Sequence, residues 1–198
     1  MLERIADLDG TRLDVAAYLN DFWKHFHGPI DVAKLERRQT FREPGDPSWE
    51  AFVAGNWADA VRLIDENRDV IAKEVRENPG TAFRRVRVVE RPYSPYLRWE
   101  LYYIRHRAEA GEDIRVLDAG ELRFLEGDRT VPELVVVGDS VAYEVCYDDS
   151  GNLIGARRFL DADIIGRCSE DISDLLDRSE ALRDFLRREP SALPPPET

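Results

Sequence analysis

Two cysteines, Cys146 and Cys168, are too few to staple a small secreted domain. Both read as reduced residues filling a strand and a helix. No apolar run approaches the ~20 residues of a membrane span. The opening residues, MLERIADLDG, lack the basic-then-apolar order of a signal peptide. A cytoplasmic protein with no membrane role is the expectation. Blocks of basic residues are missing too, since Arg84-Arg85 and Arg187-Arg188 are only pairs. With 28 basic against 40 acidic residues the formal net charge is −12. A surface of that sign repels phosphate backbones, so direct nucleic-acid binding is not expected.

Catalytic signatures are equally scarce. There is no G-x-S-x-G elbow. Gly120 and Gly127 stand alone, so no glycine-rich phosphate loop is present. Ser140 follows Gly138-Asp139 and is explained by a strand-to-strand turn. His25 and His27 are two apart on a predicted helix and diverge by about 200°, a poor arrangement for sharing an ion. They read as polar residues at a helix end. Asp148–Asn152 offers oxygen ligands but is too short for a calcium loop and lacks its distal glutamate. A β-turn accounts for it. Neither cysteine has an adjacent histidine, and Arg167 beside Cys168 is slender ground for a thiolate. No metal and no cofactor are expected.

What is present is enough apolar residue for a core, 43% of the chain. Length and pattern predict one α/β domain over 1–188, with a helical extension over about 1–30 and a disordered proline-rich tail over 189–198. Apolar spacing predicts a helix over 13–27, stopped by Gly28-Pro29. Residues 34–42 read as a strand and EPGDPS as a turn cluster. One or two helical turns follow over Trp49–Gly55. Asn56 then caps a longer helix, Trp57–Glu77, which Asn78-Pro79-Gly80 ends. Three strands, Glu133–Val137, Val141–Tyr147 and Leu153–Leu160, are separated by the turn signals Gly138-Asp139 and Asp149-Ser150-Gly151. Residues 161–188 return to helix, broken near Arg178-Ser179.

The densest information lies in Arg84–Asp118. Val86, Val88 and Val89 mark a strand. Ser94 and Pro95 stand where a helix cap and first helical residue belong, and Gly111 stands where that helix ends. Ile114–Leu117 is the next strand. A strand, helix and strand so tightly joined predict a parallel pair with a crossover. The expected fold is therefore α/β. Its mixed sheet has a βαβ crossover over about 84–118, then an antiparallel meander over about 133–160, with helices from both termini around it.

On a helical wheel, Leu97, Leu101, Ile104 and Ala108 form the ordinary core stripe of the helix over 94–110. Trp99, Tyr103 and His106 fall nearly opposite, with Tyr96 and Glu100 on one flank and Arg98 and Arg105 on the other. A helix with two apolar sides needs two coverings. The second side either packs under another element such as the C-terminal helices, or meets a partner through Tyr, Trp and Arg anchors. A third reading has it line a ligand pocket oriented by Arg98 and Glu100. The candidate binding residues are Tyr93, Tyr96, Arg98, Trp99, Glu100 and Tyr103. No residue is assigned a catalytic role. Glu100, beside aromatic rings, either pairs locally or takes a raised pKa suited to acid/base work.

The run R-V-x-V-V-x-x-P-x-S-x-Y-x-R-W-E, carried here by Arg85 to Glu100, together with Gly111, Glu112, Asp113 and Arg115, resembles an uncharacterised domain family widespread in actinobacteria. The resemblance covers residues 35–175 and is sharpest over 84–115. It implies a similar length and genes near helix-turn-helix regulators of the Xre type. It supplies no reaction. A more distant likeness is to half of a phospholipase D-type domain, whose chemistry uses His-x-Lys. The residues two beyond His25, His27 and His106 are His27, Pro29 and Ala108, so this chain would be a non-catalytic relative.

Together these observations lead to an expected regulatory or protein-interaction module without catalytic activity. Its partner would be a basic helix-turn-helix regulator, for whose surface the acidic chain competes with DNA. A small-molecule sensor or enzyme built on the aromatic helix is the alternative, and a homodimer through the same face is a third possibility.

Overall fold

The structure is a computed structural model and describes residues 1–77 and 80–193. Its centre is an eight-stranded mixed sheet, and the chain enters it from the start. Strand β1 (Thr11–Leu13) precedes helix α1 (Val15–His25). Strand β2 (Asp31–Glu36) is followed by helices α2 (Pro47–Val53), α3 (Trp57–Glu66) and α4 (Arg68–Arg76). Strand β3 (Ala82–Val89), helix α5 (Pro95–Ala110) and strand β4 (Asp113–Asp118) form the crossover read from the sequence. The meander is β5 (Glu133–Val137), β6 (Val141–Tyr147) and β7 (Leu153–Phe159). Helix α6 (Ala162–Asp177), strand β8 (Glu180–Ala181) and helix α7 (Leu182–Arg188) complete the order.

The sheet order is β1-β7-β6-β5-β2-β3-β4-β8. Strands β2, β3 and β4 are parallel neighbours. All the other pairings are antiparallel. The mixed sheet and its flanking helices are thus as the sequence pattern implied. Two connections make the parallel part: β2 reaches β3 through α2–α4, and β3 reaches β4 through α5.

Helix α5 shows why its borders were legible. Ser94 Oγ accepts from Leu97 N at 3.0 Å, Pro95 opens the first turn, and Gly111 takes φ +118° at the stop.

Two local expectations are corrected. The strand predicted over 34–42 starts and ends earlier, at Asp31 and Glu36. Beyond Glu36 the backbone bonds to side chains instead of a neighbouring strand. Arg37 N and Arg38 N both donate to the Glu133 carboxylate, and Ser94 Oγ donates to Gln39 O. The long helix predicted over Trp57–Glu77 is two helices, because Asn67 sits at φ −84° and ψ 0°, outside helical geometry, although its N–H still bonds to Leu63 O and its carbonyl accepts from Ile71 N. The stop assigned to Asn78-Pro79 and residues 194–198 of the proline-rich tail lie outside the described residues, while 190–192 of the tail form a short 3-10 turn with Ala192 buried.

The two faces of the sheet differ. On one face Ala33, Leu35, Val86, Val88, Leu134 and Val136 pack against Ile165, Cys168 and Ile172 of α6. On the other, α1 covers the β5–β7 end through Tyr18, Tyr143 and Val145. Helices α5 and α7 cover the β3–β4 end through Leu97, Leu101, Ile104, Leu182 and Phe185. Between those two apolar blocks lies a strip of β2 and β3 that carries charge.

Candidate functional site

Alternation along β2 and β3 builds that strip. Register pairs Val32 with Phe83, Lys34 with Arg85 and Glu36 with Arg87. Since side chains alternate between faces, all six point the same way. The last two pairs put four ionisable groups where an α/β sheet ordinarily buries aliphatic residues.

These charges are joined into one network. Arg85 Nη1 reaches both Glu36 oxygens, at 3.0 and 3.3 Å, and Lys34 Nζ lies 3.1 Å from Glu36 Oε1. Arg85 Nε donates to Glu112 at 2.9 Å, and Arg107 Nε donates to the other Glu112 oxygen at 2.6 Å. Arg87 is fully buried. Its Nε donates to Glu100 Oε2 at 2.7 Å, and its Nη1 donates to the carbonyls of Val88 and Glu36. Nη2 also lies 2.7 Å from Glu100 Oε2, at an angle that makes an ion contact and not a hydrogen bond.

Burial and partners divide the carboxyl groups. Burial opposes ionisation of Glu36, but Arg85, Lys34 and Arg87 outweigh it and hold its pKa down at about 2. Glu100 goes the other way: burial pushes it up to about 7, against the pull of Arg87 and with the help of Glu36. Glu43, from the loop after β2, is raised by burial as well. It accepts from the Tyr96 hydroxyl at 3.0 Å. Glu133, which accepts from the backbone N–H groups of Arg37 and Arg38, is raised by burial to about 7.

Above this strip is a cleft of about 270 Å³. Its floor is Lys34, Glu36 and Arg85, one wall is Tyr96, Trp99, Glu100 and Tyr103 of α5, and the opposite side is Phe41, Glu43, Asp46 and Tyr147. Four of the six candidate residues named from the sequence therefore come together. The other two do not. Arg98 donates to the Leu193 carbonyl, at 2.7 Å from Nη2 and 3.2 Å from Nε. Tyr93 packs edge-on against Phe185 of α7.

The second aromatic side of α5 is covered from within. Trp99 meets Trp49, Phe52 and Tyr103, and Tyr96 meets Phe41 and Trp49. Both residues are only 4% exposed. The covering elements are α2, α3 and the loop before them, while the C-terminal helix α7 lies on the ordinary core stripe. Tyr96 and Trp99 accordingly form a cleft wall and not an outward docking face.

Sequence reasoning missed Lys34, Glu36, Phe41, Glu43, Asp46, Arg85, Arg87 and Tyr147. A signal existed for four of them. Lys34/Glu36 and Arg85/Arg87 are charged pairs at spacing two inside apolar strands, so each pair must share a face. Their convergence on α5 has no such signature.

Both cysteines are remote from thiolate chemistry. Burial pushes Cys168 up to about 12 and also raises Cys146.

A family model described as "Domain of unknown function (DUF6879)" matches residues 20–187. The chain belongs to that family. The DUF6879 span runs from α1 into α7 and includes all the residues lining the cleft. A comparison with curated proteins finds no match. Among solved structures, a chain of TrmBL2, described as an archaeal chromatin protein that shows a novel mode of DNA binding, is similar at 11% identity and a TM-score of 0.39. The likeness covers 86% of this chain and 52% of that one, and is too slight to bear on fold or function.

Proposed function

We propose that this DUF6879 chain is a non-catalytic regulatory module that binds a small molecule in the cleft between α5 and the sheet. The observation that carries this reading is the charged, aromatic-walled cleft itself. Several ionised side chains are held out of water at a cost that an apolar strip would avoid, and such groups concentrate at functional sites. Binding is favoured over covalent chemistry because no serine, cysteine or histidine lines the cleft among the described residues. Glu100 is engaged by Arg87 and is poorly placed to exchange protons with a substrate.

The test is a screen of small fragments covering cations, anions and neutral compounds, followed by chemical-shift mapping. Hits are expected to perturb the Trp99 indole and the Tyr96 and Tyr103 rings. Hits that map elsewhere, for example to the 124–132 segment, would sink the proposal.

A second reading concerns output. The formal charge of −12 suits a cytoplasmic protein that docks on the basic surface of a helix-turn-helix regulator. An actinobacterial lineage and genes near Xre-type regulators are what the sequence resemblance implies. Ligand occupancy would then bias that complex. With Tyr96 and Trp99 buried, docking or homodimer contact would use a different surface. The expected sign is a complex with the basic partner that weakens steeply between low and high salt.

A further inference from the structure

We infer that the cleft takes a small organic cation, an ammonium or quaternary ammonium head no larger than about nine water volumes. This rests on the reading of the cleft as a ligand site and goes further by naming the ligand's charge.

The first observation is an imbalance among the lining charges. Lys34 pairs with Glu36, Arg85 is shared between Glu36 and Glu112, and Glu100 is held by Arg87. Glu43 and Asp46 also line the cleft, and neither has an ion-pair partner among the described residues. Asp46 caps α2 through Ser48 and Trp49, so Glu43 is the carboxylate left to answer a ligand. Its hydrogen-bond partner, Tyr96 Oη, is neutral. A partly buried carboxylate whose nearest cation, Lys34, acts only from beyond ion-pair distance is costly, and a bound cation removes that cost.

The second observation is the composition of the walls. Phe41, Tyr96, Trp99, Tyr103 and Tyr147 supply five rings to one cleft. Ring faces attract cations, most strongly when water is excluded. Phe41 and Tyr147 already hold Arg87 and Arg38, each guanidinium 5.7 Å from the ring centroid. Tyr96, Trp99 and Tyr103, all on α5, carry no such contact; Trp99 is stacked between Phe52 and Tyr103, so the half-buried Tyr103 is the α5 ring that remains most open to a ligand. An anion, by contrast, would meet no free guanidinium there, and a neutral ligand would leave Glu43 unanswered. The net charge of −12 adds a long-range field that draws cations toward the surface.

The experiment titrates the intact chain with choline, with its neutral isostere 3,3-dimethylbutan-1-ol, and with isovalerate as an anion of similar bulk. Calorimetry reads affinity and indole shifts report the location. Choline is expected to bind at the α5 wall at least tenfold more tightly than either control. Glu43→Gln, which keeps an acceptor for Tyr96 Oη, is expected to lower choline affinity at least tenfold. Tyr103→Leu, at a half-buried position, is a second variant expected to weaken it should Glu43→Gln fail to fold. The neutral or anionic probe binding in the cleft as well as choline, or choline binding unchanged in a folded variant, would overturn the cation assignment while keeping a ligand cleft. None of the three binding would overturn the assignment, and the broader fragment screen would then decide whether the cleft takes ligands at all.

Discussion

The two faces of the central sheet are made by the same strands and are built on opposite rules. Toward α6, β2 and β3 present Ala33, Leu35, Val86 and Val88, an apolar layer closed by Ile165, Cys168 and Ile172. Toward α5, the residues between them in sequence are Lys34, Glu36, Arg85 and Arg87. The α6 face gains stability from each buried methylene. The α5 face gives up part of that gain to desolvate two guanidiniums and two carboxylates. A fold needs only the first kind of face. The second is the observation on which the proposed ligand cleft rests, because nothing in the packing of a sheet requires charge there.

The sharpest way to break the contrast is to unbalance the buried pair. Arg87→Ala strands Glu100 in a dry setting and is expected to destabilise the fold by ~3–5 kcal/mol. The double change Arg87→Met with Glu100→Leu makes the α5 face resemble the α6 face. It is expected to restore most of the stability, or exceed the original, while abolishing ligand binding in the cleft. Chemical denaturation of both variants, with fragment titration of the double one, checks this. A double variant as unstable as Arg87→Ala would show that the charges hold the face together.

On the opposite face, Ile172→Ala removes a fully buried side chain from α6. The expected loss is about 2–4 kcal/mol, from lost transfer energy and the cavity left behind. Cleft binding should be unchanged at temperatures where the variant remains folded. Altered affinity would mean that the two faces are coupled through the sheet.

The smallest effect is one of pH. Glu100 and Glu133 have folded pKa values raised to about 7. Their contribution to stability is full below the ordinary carboxylate value and is lost as pH rises through 7. Glu36, held at about 2, acts oppositely: its contribution is full above the ordinary value and is lost as pH falls toward 2. Together the three favour a maximum at about pH 4, with a decline toward neutrality. Denaturation midpoints from pH 3 to 8 read this directly. Glu100→Gln should flatten the neutral side, and an unaltered profile would show that Glu100 stays ionised throughout.

Legibility varied along the chain in a physically consistent way. The borders of α5 were readable because Ser94, Pro95 and Gly111 act through their own backbone geometry. The strands β5 and β6 were readable to the residue, because the β-branched runs are interrupted by glycine turns. The segment 34–42 was not, because its backbone partners are the Glu133 carboxylate and the Ser94 hydroxyl, while the Gln39 side chain accepts from Glu90 N, and all of these lie far away in sequence. The break at Asn67 was hidden for a similar reason: the apolar stripe continues through it.

The candidate site divides along the same line. Tyr96, Trp99, Glu100 and Tyr103 were found because one helix carries them all. Arg98 and Tyr93 were grouped with them by the same helix logic, yet the chain's C-terminal segment claims both. Sequence alone determined the charge, the α/β class, the crossover over 84–118 and the two-sided character of α5, since each is a property of local pattern or composition. Only the tertiary structure decided which element covers each side, and that Glu36, Arg85 and Arg87 converge beneath Glu100. Those are pairings between strands and helices brought together by chain closure, and no local pattern encodes the partner at a distance.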